Sequence, residues 1–260
     1  MKYKMIAIDM DGTLLNSKQN TSESNILMIQ KALKSGVKVV LCTGRDYDGI
    51  IRSAKKIGLN KNNQYMIYFG GSVIQSYDKK ILYQKTLKNE NCESIANFLS
   101  NRKVRFELID NLGDHYDSYQ DWIEKQMLNR KLGIVKFIIK THKHELDKLL
   151  GLMHTNYDKD YFIVKTSANE MEVFPQGINK GSALVHLAKH LGISMNQVVA
   201  IGDMDNDIPM LKRVGLGIAM GNASAEVKKI SNVETTDNDH DGVANAIREY
   251  VLAQSKTEVK

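Results

Sequence analysis

Two aspartates stand one residue apart near the start of the chain, directly after a short apolar run. Asp9 and Asp11 occur in the stretch MIAIDMDGTLLN, which covers residues 5 to 16. Because like charges repel and burying a carboxylate costs free energy, such a pair at the end of an apolar segment needs a compensating partner. A bound cation would supply it, and one carboxylate could then act as a nucleophile while the other handles protons.

Further groups suited to metal or phosphate binding follow other apolar runs or open a later helix. They are Thr43 and Gly44 in LCTGR, Lys180 in NKG, and Asp203, Asn206 and Asp207 in GDMDND. Since ligands of open α/β sheets bind beyond the carboxyl ends of the strands, we expect these groups to share one crevice with the first aspartate pair. Four carboxylates with no nearby His or Cys indicate Mg²⁺ as the cation.

The segments that carry these groups alternate between strand and helix patterns. The strand candidates MIAI, VKVVLC, YMIYF, VVAIGD and LGIAM are short continuous apolar runs, typical of strands buried on both faces of a parallel sheet. Between the first two, Ile26, Ile29 and Leu33 repeat at helical spacing, with Ser22 as the cap and Gly36 as the terminator. The predicted fold class is α/β with a doubly wound parallel sheet.

The pattern changes in the middle of the chain. Residues 84–176 contain helix and strand candidates that close with YFIVKTS and MEVFP, which we interpret as an antiparallel pair. From Lys180 onward the α/β alternation returns. We therefore predict a core formed by residues 1–83 and 177–260 and an inserted α+β domain formed by residues 84–176, which would close over the site.

The expected crevice suits phosphoryl transfer. A metal ion would let one carboxylate attack phosphorus and form an aspartyl phosphate, while the second carboxylate protonates the leaving oxygen and later activates water. Thr43 and the amides of TGR can donate to phosphate oxygens, and Lys180 offers a positive charge. Arg45 is expected to bridge carboxylates structurally.

The motifs DMDGT, LCTGR, NKG and GDMDND, in this order, resemble the four motifs of the haloacid dehalogenase superfamily. The insert and the GDxxND form resemble its Cof-type branch of magnesium-dependent phosphatases, which have a Rossmann-like core and a large α+β cap. This resemblance, which covers essentially the whole chain, implies Asp9 as the nucleophile and Asp11 as the acid/base. It further implies that Thr43, Gly44, Lys180 and Asn206 contact phosphate, and that Asp9, the Asp11 carbonyl and Asp203 bind Mg²⁺, with Asp207 ordering its waters.

One stretch departs from the family pattern. Where relatives usually show Asn-Gly-Ala after the third strand, this chain has FGGSV, so Gly70 replaces the Asn and Ser72 replaces the Ala. The change removes an amide side chain from the region of the leaving group and leaves the phosphoryl-transfer residues intact.

The composition excludes several other classes. The net charge of +6 comes from 36 basic and 30 acidic residues that form no basic cluster, so we predict no nucleic-acid partner. Two cysteines make a disulfide framework improbable and fit a reducing compartment. Asp9 interrupts the first apolar run too early for a signal peptide, and no later run could span a bilayer, so we expect a cytoplasmic monomer or small homo-oligomer without membrane partners.

The expected substrate is a small phosphorylated metabolite, such as a sugar phosphate or a phosphorylated cofactor or flavin precursor. Two alternatives use the same residues: a phosphomutase, which returns the phosphoryl group to a sugar, and a non-catalytic Mg²⁺-binding phospho-acceptor module. In the insert, the aromatic stretch of His115, Tyr116, Tyr119 and Trp122 could line a substrate pocket or could pack within the insert.

Overall fold

The computed structural model describes residues 2–59 and 63–253. The chain divides into two compact units, which we call the core unit (Met1–Leu82 with Lys180–Lys260) and the inserted unit (Tyr83–Asn179). The strands are β1 Met5–Ile8, β2 Lys38–Cys42, β3 Tyr65–Tyr68, β4 Val73–Ser76, β5 Ile81–Gln84, β6 Phe106–Asp110, β7 His115–Tyr116, β8 Ile134–Lys140, β9 Tyr161–Ser167, β10 Glu170–Pro175, β11 Val198–Gly202, β12 Leu216–Ala219 and β13 Val233–Glu234. The α-helices are α1 Glu23–Lys34, α2 Tyr47–Lys56, α3 Asn89–Ser100, α4 Tyr119–Leu128, α5 Lys143–Tyr157, α6 Lys180–His190, α7 Ile208–Leu211, α8 Ala225–Ile230 and α9 Gly242–Ala246.

The core unit is built on a mixed sheet with β1 near its centre. The strand order is β13-β12-β11-β1-β2-β3-β4-β5, in which β13 to β3 pair in parallel and β4 runs antiparallel to β3. The residues of β1 and β11 are all buried, as expected for strands covered on both faces. The predicted α/β class with a doubly wound sheet is therefore confirmed.

Side-chain N-caps fix where the first two helices begin. The Ser22 hydroxyl accepts a hydrogen bond from the Asn25 amide at 3.2 Å and begins α1, as predicted. Asp46 caps α2 by accepting from the Gly49 amide at 2.8 Å. Thr43 therefore does not serve as the cap of this helix, and its hydroxyl remains in the loop between β2 and α2.

The inserted unit is an antiparallel sheet with helices on one face. Its strand order is β7-β6-β8-β10-β9, and the pairing of β9 with β10 confirms the predicted antiparallel pair. The apolar core between this sheet and α3, α4 and α5 includes Tyr116 and Trp122, with Tyr119 packed against it. A cavity of about 1370 Å³ in this unit is lined by none of the four aromatic residues noted in the sequence, so the structure favours packing for this stretch.

Within the described parts of the chain, no helix combines the length and the apolar character that crossing a bilayer would require.

Candidate active site

The site lies where the central strands of the core unit end. Parallel pairing puts Ile8 opposite Ile201, and the amide of Asp9 donates to the Ile201 carbonyl at 3.1 Å. Asp9 is the residue after β1 and Asp203 is the residue after β11. The register of these two neighbouring strands therefore brings their terminal carboxylates together, as the strand-end argument predicts.

Three buried carboxylates form one group. Asp9, Asp203 and Asp207 each offer a carboxylate oxygen within 4.8 Å of the others. Four aspartates were expected to share the crevice. Among the described residues Asp11 does not belong to this group, and its carboxylate contacts Arg45 instead. The group that could hold a cation thus contains three carboxylates.

Lys180 supplies the positive charge in this group. It is the first residue of α6, its side chain is 2% exposed, and its Nζ donates to Asp9 Oδ1 at 2.6 Å and to Asp207 Oδ1 at 2.7 Å. Burial lowers the pKa of Lys180, but the attraction of Asp207 and Asp9 outweighs this effect and holds the pKa well above its usual value. Lys180 therefore stays protonated at neutral pH.

One ammonium does not compensate three carboxylates. Burial and repulsion by Asp207 raise the pKa of Asp9 well above its usual value, although Lys180 acts in the opposite direction. Burial, followed by repulsion from Asp207, also raises the pKa of Asp203 to about 7. Without a further cation, the site consequently favours bound protons near neutral pH.

Asp207 has both carboxylate oxygens occupied by protein donors. Oδ1 accepts from Lys180, and Oδ2 accepts from the backbone amides of Asp203 at 3.0 Å and Met204 at 3.2 Å. This carboxylate closes the turn after β11, fixes the backbone of Asp203 and holds Lys180. Asp9 and Asp203 have more capacity left for another ligand.

Two residues of the DMDGT motif hold Asp203 in place. Thr13 donates from its hydroxyl to Asp203 Oδ1 at 2.7 Å. Gly12 has φ of +74°, and a Cβ at this position would lie 2.3 Å from Asp203 Oδ2. Only glycine allows both this backbone conformation and this close approach. No role was predicted for Thr13 from the sequence, although its place in the DMDGT motif was a signal.

Asp11 is bound to the loop after β2. Arg45 donates from Nε to Asp11 Oδ2 at 2.8 Å and from Nη2 to Asp11 Oδ1 at 2.6 Å, and the two side chains are 34% and 50% exposed. Arg45 was expected to bridge carboxylates; among the described residues its guanidinium group contacts one carboxylate, that of Asp11, and the side-chain oxygen of Gln19. This bidentate contact ties the loop after β1 to the loop after β2.

The loop after β2 is braced by the turn after β3. Thr43 is buried, its hydroxyl oxygen accepts from the Arg45 amide at 3.1 Å, and its carbonyl accepts from the Gly70 amide at 2.9 Å. Gly70 has φ of +63°, a left-handed conformation that Gly and Asn adopt most readily, which explains how Gly can stand where relatives have Asn. Gly44 lies half-buried in the same loop.

Asn206 occupies the short 3₁₀ turn Asp205–Asp207 beside the carboxylates. Its Oδ1 is buried and has no hydrogen-bond partner among the described residues. Since buried polar atoms are nearly always paired, this atom indicates a place for a hydrogen-bonding ligand.

The fold and the site together define the class of protein to which the chain belongs. A sequence-family model of the haloacid dehalogenase-like hydrolases matches residues 6–247, and the chain belongs to this family. The predicted family and the predicted phosphatase class are therefore confirmed.

Named relatives extend over the whole chain. The Bacillus subtilis 5-amino-6-(5-phospho-D-ribitylamino)uracil phosphatase YcsE is 34% identical over 261 residues, covering 96% of each chain. The putative phosphatase YxeH of the same organism is 30% identical over 269 residues, covering 97% of this chain and all of the relative. A solved structure of a haloacid dehalogenase-like hydrolase from B. subtilis has a TM-score of 0.86 at 24% identity, the match covers 95% of this chain and all of that one, and it supports the fold.

Proposed function

We propose that this chain is a Mg²⁺-dependent phosphatase that hydrolyses phosphomonoesters of small metabolites through an aspartyl phosphate. The observation that carries the proposal is the buried group of Asp9, Asp203 and Asp207 with Lys180 at the ends of two adjacent parallel strands. Carboxylates crowded in this way need a cation, and a nucleophilic carboxylate beside a fixed ammonium suits attack on a phosphate group.

The residues of the site fit Mg²⁺. All three grouped side chains offer hard oxygen ligands, and burial first and repulsion by Asp207 second raise the pKa values of Asp9 and Asp203, both of which a bound cation would counter. Because both oxygens of Asp207 have protein donors, Asp9 and Asp203 are the candidates for direct ligands, with the Asp11 carbonyl as a third by family resemblance. When bound, Mg²⁺ would screen Asp9 and an incoming phosphate from mutual repulsion.

The proposed reaction has two steps. A carboxylate oxygen of Asp9 bonds to phosphorus while the ester P–O bond breaks, and Asp11, once one of its oxygens has been released from Arg45 and carries a proton, gives that proton to the leaving oxygen. Asp11 then takes a proton from water, the water oxygen bonds to phosphorus, and the bond to Asp9 breaks to release phosphate. Lys180, Thr43, the Gly44 amide and Asn206 would hold the phosphate oxygens during both steps.

The substrate class is a small phosphorylated metabolite. YcsE and a second B. subtilis relative, YitU, which is 26% identical over 267 residues, are both named phosphatases of a phosphorylated ribitylaminouracil. These names support phosphorylated flavin precursors as one candidate group, beside sugar phosphates. We propose that the inserted unit selects among them.

The test is hydrolysis of p-nitrophenyl phosphate with Mg²⁺, followed by a panel of phosphorylated metabolites. Asp9→Asn should lower kcat by at least about a thousandfold because the nucleophile is lost. Asp48→Asn, at an exposed position of α2, is the matched control and should keep wild-type activity. Wild-type turnover by Asp9→Asn would refute the assignment, and a requirement for a bisphosphate primer would indicate a mutase.

A further inference from the structure

A tightly built turn lies between the DMDGT motif and α1. The Asn16 side-chain oxygen accepts from the amides of Lys18 at 3.1 Å and Asn20 at 2.9 Å, and the Asn16 carbonyl accepts from the Gln19 amide at 2.8 Å. A single side chain thus organises the backbone of residues 16–20.

This turn is also anchored to a distant part of the core unit. The Ser17 amide donates to Asp239 Oδ1 at 2.9 Å, and the Asn238 side-chain amide donates to the Leu15 carbonyl at 2.9 Å. The turn is therefore held both from within and from the segment that precedes α9. The backbone that carries the side chains of this turn is therefore fixed.

Gln19 occupies a costly position in this turn. Its φ is +59°, in the left-handed region that favours glycine and is unfavourable for a residue with a Cβ. Its side-chain oxygen accepts from Arg45 Nη2 at 2.6 Å. The same Nη2 donates to Asp11 at 2.6 Å, so the guanidinium group is held between Gln19 and Asp11.

We propose that Gln19 is a positioning residue that fixes the Arg45 guanidinium group and, through it, the carboxylate of Asp11. The proposal rests on the proposed function in that Asp11 is taken as the proton donor to the leaving oxygen. The half-exposed side chain of Asp11 is held by Arg45, which belongs to the proposed phosphate loop through the bond of its amide to Thr43. The tie keeps the donor beside that loop.

A purely stabilising role for these contacts is the competing explanation. An exposed arginine–aspartate pair contributes little to stability, so removing one acceptor from it should change the unfolding free energy little. Orientation of a proton donor, in contrast, affects the rate directly, because proton transfer contributes about a hundredfold or more to catalysis. The two explanations therefore differ in what a substitution at Gln19 changes.

The first experiment measures how firmly the Arg45 guanidinium group is held on Asp11, in the full chain without substrate. The variant is Gln19→Met, which keeps the side-chain length and removes the acceptor, and the control is Lys18→Gln in the same turn. We expect hydrogen exchange of the Arg45 Nε–H, followed by NMR and assigned with Arg45→Lys, to be several times faster in Gln19→Met and unchanged in the control. Gln19→Glu, which keeps an oxygen acceptor, should retain the slow exchange. Equal exchange rates in wild type and Gln19→Met would overturn the proposal.

The second experiment separates proton donation from general damage. A p-nitrophenyl ester has a leaving group that needs little protonation, whereas glycerol 2-phosphate must expel an alkoxide and depends on an acid. Gln19→Met should lower kcat for glycerol 2-phosphate about tenfold and for p-nitrophenyl phosphate less than about twofold, with KM unchanged. An equal loss for both esters, no loss, or a gain for glycerol 2-phosphate would each contradict the positioning role. If wild type hydrolyses neither these esters nor any member of the metabolite panel, the proposed function fails, while the exchange rates still decide whether Gln19 fixes Arg45.

Discussion

Replacing Lys180 by Met removes the only ammonium that contacts the buried carboxylates among the described residues, while it keeps the aliphatic length of the side chain. Lys180 Nζ lies 2.6 Å from Asp9 and 2.7 Å from Asp207, and the three side chains are 2%, 6% and 0% exposed. In the variant, Asp9 and Asp207 lose a charged hydrogen-bond donor that water has little room to replace.

The expected loss of unfolding free energy is about 4 kcal/mol in metal-free buffer at about pH 8, because removing one partner of a buried ion pair costs about 3–5 kcal/mol. The loss should shrink as the pH falls. Asp9 and Asp203 have folded-state pKa values above their unfolded ones, so the folded protein binds more protons than the unfolded chain between about pH 4 and pH 7. Stability therefore rises with acidification across this window, and it should do so more steeply in the variant.

Urea unfolding followed by far-UV circular dichroism measures the effect. With an m-value of about 3 kcal/mol/M in urea, a loss of about 4 kcal/mol in unfolding free energy lowers the urea midpoint by more than about 1 M. The fluorescence of Trp122, the one tryptophan of the chain, reports the inserted unit separately. Lys228→Met is the matched control, since Lys228 pairs with Glu234 at 3.3 Å with side chains 34% and 52% exposed, which predicts a loss of at most about 1 kcal/mol.

Equal urea midpoints for Lys180→Met and Lys228→Met in metal-free buffer at about pH 8 would refute the expected loss of unfolding free energy. A loss that grows with acidification would also refute it, because the pH dependence would then not come from protonation of the buried carboxylates.

Two further predictions concern the metal and the turn after β3. Because Asp203 has a pKa of about 7 in the metal-free protein, Mg²⁺ must displace a proton, and its apparent dissociation constant should rise at least about fivefold from pH 7 to pH 6. Calorimetric titration measures this constant, and a value independent of pH would contradict the coupling. At Gly70, with φ of +63°, Asn should change the unfolding free energy by less than about 1 kcal/mol and Val should cost about 2 kcal/mol. Thermal unfolding compares the two variants, and equal melting temperatures would show that the left-handed conformation is not what selects the residue.

The parts of the fold that follow from hydrophobic pattern could be predicted from the sequence. The central strands are continuous apolar runs, and the capping of α1 by Ser22 follows from residue type and position. The short strands β7 and β13, with two residues each, were not predicted because two residues carry no periodic signal. Their pairing is decided by neighbouring strands.

The grouping of Asp9 with Asp203 also follows from a general rule, since both residues end parallel strands. The contacts of Asp11 do not follow from it. Its carboxylate binds Arg45 because the side chain of Arg45 reaches from the next loop, and Gln19 completes that contact from a turn with an unusual backbone conformation. Such contacts depend on loop geometry, which no apolar pattern encodes.

The charges of the site explain why Asp207 is present in addition to two metal-binding candidates. Three carboxylates and one ammonium leave a net charge of −2 when all are ionised. Lys180 is shared between Asp207 and Asp9, and the amides bound to Asp207 fix Asp207 in the protein. The remaining charge of −2 is spread over the three carboxylates, which matches one divalent cation, and the contact with Asp207 gives Lys180 a position that does not depend on the metal.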